Sequence, residues 1–315
     1  MKPRVLVTIG DPSGVGPEVT LKSLASPKVA GLADFLVIGD GFVIDNVCRK
    51  TSLKLRAELR DLRNVPRRHF SYGKVSASFG RASVEYLDEA IRLLKSGKAD
   101  ALVTAPVNKS SIHLAGVRGF LGHTEYLASN TGSVKFAMMF VGKALKVTLV
   151  TRHIALKDVS RKLTSASIRS AIELTDKYLR EYFGVRHPRI GVAGLNPHAG
   201  ESGAFGNEEK SVIAPAVELA QKKIRYVIGP LPPDIIFHDA FEGRFDAVVA
   251  MYHDQALIPF KLLYFDRGVN LTIGLPFIRT SPDHGTAFDI AGKFTADPSS
   301  MVEAIKLACR LSRKG

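Results

Sequence analysis

Short apolar runs alternate with amphipathic helical patterns along the chain, which is typical of an α/β protein with a largely parallel sheet. Apolar runs bounded by polar or turn-forming residues predict eight strands, at 5–9, 35–38, 101–104, 137–141, 146–151, 190–195, 247–252 and 270–273. No glycine- and serine-rich linker divides the sequence, so any second domain is joined to the first by ordinary loops.

Helices are predicted between these strands where apolar residues recur every three or four positions. In the clearest case Val84, Leu87, Ile91 and Leu94 share one face, and in a second helix Thr175 is a polar break on the apolar face. The four helices predicted in this way are 81–95, 165–182, 208–223 and 299–312.

The composition is that of an ordinary globular protein, with 45% apolar and 23% charged residues among 315. This length predicts two domains or one large one.

The only two cysteines, Cys48 and Cys309, are too few for a disulfide framework and favour a reducing cytoplasm. The longest apolar stretch, 136–150, is interrupted by Lys143 and Lys146, so we expect a soluble protein without a membrane helix.

Basic residues outnumber acidic ones by 44 to 30, and the resulting net charge of +14 would attract phosphates of any kind. The densest basic run, 54–68, contains no aromatic residue, and no nucleic-acid-binding motif accompanies it. We therefore expect a solvated basic surface and no nucleic-acid partner.

Three histidines, His153, His198 and His253, come just after strand-like runs. Carboxyl ends of parallel strands converge on the binding crevice of an α/β fold, so three imidazoles there would suit one zinc, cobalt or similar ion. They lie 45 and 55 positions apart, and this spacing proves nothing by itself. The alternative is three ordinary polar side chains, each satisfied by its own hydrogen bonds.

Lys261, Asn270 and Arg279 form a second cluster, on segments that flank a predicted strand. A lysine charge, a neutral amide and a bidentate guanidinium together predict a phosphate-binding site. The alternative is three unrelated surface residues.

Two glycine-containing segments have less specific patterns. The turn at 10–18 follows a strand and opens a helix, so it is either an anion site or a structural turn. The stretch 283–293 has loop character, and Asp289 there is suited to accept hydrogen bonds from ribose hydroxyls. At 123–125, Thr124 could be simply a helix N-cap.

Five segments together resemble the 4-hydroxythreonine-4-phosphate dehydrogenase family of pyridoxal phosphate biosynthesis, in that family's order. The most specific are Gly-Asp-Pro-Ser-Gly-Val-Gly-Pro-Glu from Gly10, Gly-Leu-Asn-Pro-His-Ala-Gly-Glu from Gly194 and Gly-Leu-Pro-Phe-Ile-Arg-Thr-Ser-Pro-Asp-His-Gly-Thr from Gly274. Gly-His-Thr-Glu from Gly122 and Ala-Met-Tyr-His-Asp-Gln from Ala250 complete the set, which spans nearly the whole chain.

The resemblance implies an α/β fold like that of isocitrate and isopropylmalate dehydrogenases, with two α/β/α domains around a cleft. One domain would comprise 1–126 and 270–315 and carry an NAD loop. The other would comprise 127–269 and carry the metal ligands and a dimer interface. It further implies a homodimer whose active site lies where the subunits meet.

The resemblance also assigns roles to individual residues. It implies one divalent metal ion (Zn, Mg or Co) on His153, His198 and His253. Substrate would contact His123, Thr124, Lys261, Asn270 and Arg279, and NAD, with NADP left open, would contact His284 and Asp289. No general base is evident from the motifs, and Asp254 and Asp234 are the two candidates.

The reaction so implied is the metal-assisted oxidation of 4-phosphooxy-L-threonine by NAD. Its product, 2-amino-3-oxo-4-phosphooxybutanoate, is a β-keto acid and would decarboxylate to 3-amino-2-oxopropyl phosphate. Members of the same family act on threonate or erythronate phosphates, so a related phosphorylated hydroxy acid is the first alternative. A phosphate acyltransferase is an alternative of another class, and it would use the phosphate cluster without NAD.

Overall fold

The computed structural model describes residues 2–313 as a mixed α/β fold. Contacts between residues divide the chain into two compact units. Among the described residues, the first unit contains 2–134 and 275–313, and the second is Lys135–Gly274. The sequence places the corresponding boundaries at 126/127 and 269/270.

The first unit is built on five parallel strands. These are β1 (Arg4–Thr8), β2 (Asp34–Gly39), β3 (Glu58–Asp61), β4 (Ala101–Thr104) and β11 (Ile278–Pro282), in the spatial order β3-β2-β1-β4-β11. Its helices are α1 (Gly16–Ala25), α2 (Gly41–Thr51), α3 (Ala77–Lys95), α4 (Lys109–Leu114), α5 (His123–Thr131) and α11 (Ser299–Leu311). Helix α1 packs against α2 and α11, and α3 packs against α4 and α5.

The second unit has six strands, in the spatial order β10-β5-β6-β9-β7-β8. They are β5 (Ala137–Val141), β6 (Lys146–Leu149), β7 (Ile190–Ala193), β8 (Val227–Leu231), β9 (Ala247–Ala250) and β10 (Val269–Ile273). Its helices are α6 (Val159–Lys162), α7 (Ser165–Glu181), α8 (Ala214–Gln221), α9 (Pro233–Phe241) and α10 (His253–Tyr264). Strands β6, β9, β7 and β8 run parallel, whereas β5 is antiparallel to both of its neighbours.

Helices cover both faces of the second unit's sheet. Side chains of β9 alternate between two apolar clusters: Val249 packs with residues of α7 and α8, and Val248 packs with residues of α9 and α10. Because both faces of the strand are buried, its sequence is continuously apolar and shows no polar alternation. The result is a three-layer α/β/α arrangement within this unit.

Three strands were missed by the apolar-run criterion, and each has a physical reason. The edge strand β3 reads Glu-Leu-Arg-Asp, since an edge tolerates charge. The edge strand β8 contains Pro230, which cannot donate to a sheet. Strand β11 is buried throughout, yet Arg279, Thr280 and Ser281 are polar, so its sequence does not look like a core strand.

The helix predicted at 208–223 is divided in the structure. A π-helical turn, Glu209–Ile213, precedes α8, and Pro215 lies in the first turn of α8. Proline has no N–H to donate to the carbonyl four residues earlier, so the regular α-helical ladder is interrupted here. The predicted helices 165–182 and 299–312 match α7 and α11 closely.

Candidate active site

The three histidines singled out in the sequence follow three neighbouring parallel strands of the second unit. His153 follows β6, His253 follows β9, and His198 follows β7. These strands are adjacent in the order β6-β9-β7, with registers Thr148↔Val249 and Val192↔Val249. All three histidines therefore leave the sheet at its carboxyl edge, which is where α/β proteins place their ligand sites.

Two of these histidines are close together. The ring centroids of His153 and His253 are 5.8 Å apart, and both rings line a pocket of about 190 Å³. Nδ1 of His253 lies 2.6 Å from a carboxylate oxygen of Asp254. A carboxylate on Nδ1 fixes the imidazole and leaves Nε2 free for a ligand, as in many metal-binding histidines.

His198 lies on an unusual backbone segment. It begins a run of six residues with positive φ, namely His198, Ala199, Gly200, Glu201, Ser202 and Gly203. Four of them are not glycine, and the left-handed region costs such residues about 1–2 kcal/mol each. Strain of this kind persists only where the surroundings over-determine the conformation, and it is concentrated at functional sites.

The donor set suits a divalent metal ion, because neutral imidazoles on one sheet edge are typical zinc and cobalt ligands. Within the described residues of one chain, however, no group of three or more His, Cys, Asp or Glu side chains is arranged to hold an ion. His153 and His253 are close to each other, and His198 is not gathered with them in the described part of the single chain.

Gln255 connects the segments that carry the histidines, and its role was missed in the sequence. Its side-chain oxygen accepts a hydrogen bond from the backbone N–H of Met251 at 2.7 Å. Its amide donates to the carbonyl of Gly194, also at 2.7 Å. The buried glutamine therefore ties the start of α10, with His253, to the end of β7, before His198. The only signal for this role in the sequence is that Gln255 ends the motif that contains His253.

The three residues that the sequence predicts to bind phosphate are distributed over both units. Lys261 lies on α10 with its Nζ 5.8 Å from the centre of the Phe265 ring, and Asn270 lies on β10. Oδ1 of Asn270 is buried and accepts no hydrogen bond from the described residues. Both residues belong to the second unit, whereas Arg279 belongs to the first.

Arg279 is a buried cation on a buried strand. Only 2% of its surface is exposed, and its Nη2 donates to the hydroxyl of Thr104 at 2.6 Å. Burial lowers the pKa of Arg279 to about 9, and the nearby carboxylate of Glu125 acts in the opposite direction. The guanidinium is therefore still charged at neutral pH, in surroundings that favour an anionic partner.

His123 and Thr124 begin α5 in the same unit as Arg279. Burial of the His123 ring, and then the charges of Arg279 and Lys109, hold its pKa well below the usual 6.5, so the imidazole is neutral at pH 7. Its Nε2 is buried and has no hydrogen-bond partner among the described residues. Thr124 is buried, and its hydroxyl does not act as the N-cap, which is Gly122.

The loop with His284 and Asp289 follows β11 and leads to α11. Both side chains are exposed, and Nδ1 of His284 lies 2.9 Å from the carbonyl oxygen of Gly285. The backbone of the loop is held: Val15 N donates to the carbonyl of Thr286 at 3.0 Å, and Ala296 N donates to the buried Glu18 at 2.8 Å.

The glycine-rich turn at 10–18 therefore has a visible structural role, since it supports that loop. Lys22 strengthens the support by donating to the carbonyls of Phe294 and Ala296. A larger depression of about 450 Å³ lies nearby, lined by Lys22, Lys50 and Phe294 among others. None of the predicted site residues lines it, so the chemistry gives no reason to place the substrate there.

The two candidates for a general base differ in their surroundings. Asp254 hydrogen-bonds to His253, as described above, and is exposed. Asp234 is exposed in the first turn of α9.

Between residues 2 and 313, no helix combines the length and hydrophobicity required to cross a bilayer.

The fold, the histidines on one sheet edge and the buried arginine are features of an α/β dehydrogenase, and comparison with known proteins agrees. The family model for pyridoxal phosphate biosynthetic protein PdxA matches residues 31–308. The chain therefore belongs to the PdxA family.

Individual relatives are similar over their full length. The chain is 45% identical to 4-hydroxythreonine-4-phosphate dehydrogenase of Geobacter metallireducens, with 99% of this chain and 96% of the relative covered. It is also 45% identical to D-threonate 4-phosphate dehydrogenase of Cupriavidus necator, covering 99% and 98%. The crystal structure of 4-hydroxythreonine-4-phosphate dehydrogenase from Klebsiella pneumoniae matches with a TM-score of 0.89 and 40% identity, covering 99% and 98%. These names give no support to the acyltransferase alternative.

Proposed function

We propose that the chain oxidises 4-phosphooxy-L-threonine with NAD to 2-amino-3-oxo-4-phosphooxybutanoate, which decarboxylates to 3-amino-2-oxopropyl phosphate. The observation that carries the proposal is the placement of His153, His198 and His253 at the ends of three adjacent parallel strands. Full-length similarity to dehydrogenases of 4-phosphorylated four-carbon acids supports the substrate class.

His153, His198 and His253 would hold one divalent ion, of zinc, cobalt or magnesium. When bound, the ion would supply Lewis acidity at the C3 hydroxyl, and the nicotinamide would supply the hydride acceptor. The Asp254 carboxylate orients the His253 ring through the 2.6 Å contact with Nδ1. Because no three-ligand group forms within the described part of one chain, a second copy would complete the site.

An exposed apolar face on α10 supports the homodimer. Ile258, Leu262 and Phe265 are 70%, 85% and 72% exposed, and they lie on the helix, or next to the helix, that begins with His253. Large apolar side chains grouped in this way are typical of an interaction surface. Contact between copies along α10 would bring the metal ligands of two chains close together.

Arg279, Lys261 and Asn270 would bind the phosphate, with His123 and Thr124 as further substrate contacts. A charged guanidinium can bind phosphate with two parallel hydrogen bonds, and its burial strengthens this interaction. The neutral ring of His123 has an unused Nε2 for a polar group of the substrate. Binding the phosphate far from C3 would contribute mainly to orientation of the reacting carbon.

His284 and Asp289 would contact NAD on the loop that the first turn supports. The exposed Asp289 carboxylate is suited to accept hydrogen bonds from the hydroxyls of a ribose diol. The two cysteines, Cys48 and Cys309, are free thiols, in keeping with a cytoplasmic enzyme.

D-threonate 4-phosphate is the second candidate, because the chain is equally similar to a dehydrogenase of that compound. The two substrates differ at C2, which carries an ammonium group in one and a hydroxyl in the other. Decarboxylation would give an aminoketone phosphate in the first case and a dihydroxyketone phosphate in the second.

A substrate panel tests the proposal. The purified chain with Co²⁺ is assayed for NADH or NADPH absorbance with 4-phosphooxy-L-threonine and with the 4-phosphates of D-threonate and D-erythronate. We expect the highest kcat/KM with 4-phosphooxy-L-threonine and NAD, and an aminoketone phosphate as product. Absence of turnover on the whole panel would contradict the proposed class of reaction.

Substitution of a ligand tests the metal site separately. We expect His198→Ala to remove bound metal and turnover together, because one of three imidazole ligands is lost. His238→Ala is the matched control, since that exposed histidine lies on α9 and is outside the proposed ligand set. Equal metal content in His198→Ala and the wild-type protein would contradict the assignment.

A further inference from the structure

The segment with His198 is held by a buried carboxylate that no sequence motif marked. Glu209 is only 4% exposed and begins the π-helical turn that precedes α8. One carboxylate oxygen accepts hydrogen bonds from the backbone N–H groups of Leu195 and Asn196, each at 2.8 Å. The other accepts from the side-chain amide of Asn196 at 3.0 Å.

The same carboxylate also contacts the segment after His198. A Cβ built on Gly200 would lie 2.6 Å from Oε2 of Glu209, so the backbone passes directly against this oxygen. Gly200 also has φ of +81°, which a glycine adopts without strain. Glu209 therefore touches the chain two positions before His198 and two positions after it.

These contacts of Glu209 explain how the run of positive φ at 198–203 is maintained. Positive φ is intrinsically unfavourable at the four non-glycine residues of this run, which would relax without external contacts. The side-chain amide of Gln255 also donates to the carbonyl of Gly194 at 2.7 Å, so the chain is fixed before this segment as well. The position of the His198 ring thus depends on contacts made by side chains that are not ligands.

We propose that Glu209 is a positioning residue that holds His198 in the orientation required to bind the divalent metal ion. The inference rests on the proposed function, since it assumes that His198 is a metal ligand. Glu209 acts on the backbone on either side of the ligand. Groups that orient metal ligands from outside the coordination sphere commonly change metal affinity about 10- to 100-fold when they are substituted. We expect an effect of about this size for Glu209.

Glu209→Gln is the informative variant because it keeps the size of the side chain. The remaining carbonyl oxygen can still accept from Leu195 and Asn196. The new NH₂ group, however, would face the side-chain amide of Asn196, and two donors cannot bond to each other. The substitution therefore weakens the contact between residue 209 and the side chain of Asn196 and leaves the surrounding core in place.

The experiment measures the Co²⁺ affinity of metal-free full-length protein from the visible absorption of bound Co²⁺. We expect the Kd of Glu209→Gln to be about 10- to 100-fold higher than that of the wild-type protein. Glu218→Gln is the control, because it removes the same charge from an exposed position on α8. Its Kd should equal that of the wild-type protein.

Thermal unfolding of the metal-free variants separates positioning from general stability. A lower Tm with unchanged Co²⁺ affinity would show that Glu209 only stabilises the fold and would overturn the inference. If Glu209→Gln does not fold, Asn196→Ala is used, since it removes the donor to the same oxygen from a partly buried site. It should raise the Kd in the same direction, and an unchanged Kd would likewise overturn the inference.

The two proposals fail in different ways. A wild-type protein that binds no Co²⁺ would contradict the three-histidine site and this inference with it. Wild-type binding together with unchanged binding by Glu209→Gln would contradict the role of Glu209 alone.

Discussion

At the scale of single residues, Arg279 illustrates how burial changes the chemistry of a side chain. The sequence predicts a phosphate-binding arginine from its type and its neighbours. The structure adds that the guanidinium is almost completely buried beside Thr104 and that burial lowers its pKa to about 9. Its charge therefore becomes sensitive to pH within a range that can be measured.

This sensitivity predicts the pH dependence of substrate binding. Below the pKa of about 9 the guanidinium is protonated and attracts phosphate, and above it the cation is lost. We expect KM for the phosphorylated substrate to be constant from about pH 7 to 8 and to rise about tenfold per pH unit above the pKa. Bound phosphate favours the protonated form, so kcat should decline only at higher pH than kcat/KM.

Arg279→Met is the control for this prediction. It should raise KM about 10- to 100-fold at pH 7.5, the loss expected for charge-assisted hydrogen bonds to a phosphate, and abolish the rise at alkaline pH. A wild-type KM that stays constant up to pH 10 would show that Arg279 does not titrate in this way.

At the scale of elements, α7 shows what a polar residue on an apolar face does. The sequence treats Thr175 as a break in the pattern, yet in the structure Thr175 is fully buried. Its hydroxyl lies 2.8 Å from the hydroxyl of Thr148 on β6 and 2.7 Å from the carbonyl of Ala171. The polar position therefore joins the helix to the sheet.

Thr175→Val should lower the free energy of unfolding by about 1–3 kcal/mol, because it leaves the buried Thr148 hydroxyl without this partner. The measurement is urea unfolding at equilibrium. Thr148→Val with Thr175→Val should recover part of the loss, since both polar groups are then replaced by apolar ones. Additive losses in the double variant would contradict the hydrogen bond as the source of the effect.

At the scale of the whole molecule, the proposed metal site is not complete within the described part of a single chain. His153 and His253 approach each other, but no third ligand joins them among residues 2–313. The helix that begins with His253 also presents Ile258 and Leu262 to solvent. Both facts are accounted for if two copies pack along α10.

Leu262→Asp tests this assembly. A charge in the centre of an apolar contact should dissociate the dimer, and both Co²⁺ binding and turnover should fall with it. Sedimentation equilibrium gives the mass, and Val134→Asp is the control because Val134 is an exposed apolar residue, 91% accessible, on the other unit. A wild-type monomer, or a variant that remains dimeric, would contradict the proposed interface.

The sequence by itself determined the α/β class, the family and most central strands. Strands such as β4 and β9 are buried on both faces, so their residues form apolar runs that need no tertiary information. It also singled out the three histidines proposed as metal ligands and the residues proposed to bind phosphate, because motif order along the chain is a property of sequence alone.

Only the tertiary structure decided which distant segments meet. Strand β11 is buried although several of its residues are polar, so its sequence does not reveal it as a core strand. The order β6-β9-β7 places three histidines on one edge of the sheet although they are far apart in sequence. The supporting roles of Glu209 and Gln255 likewise depend on backbone groups brought to them by folding. Hydrogen bonds of this kind leave no periodic pattern, because their partners are chosen by packing and not by spacing along the chain.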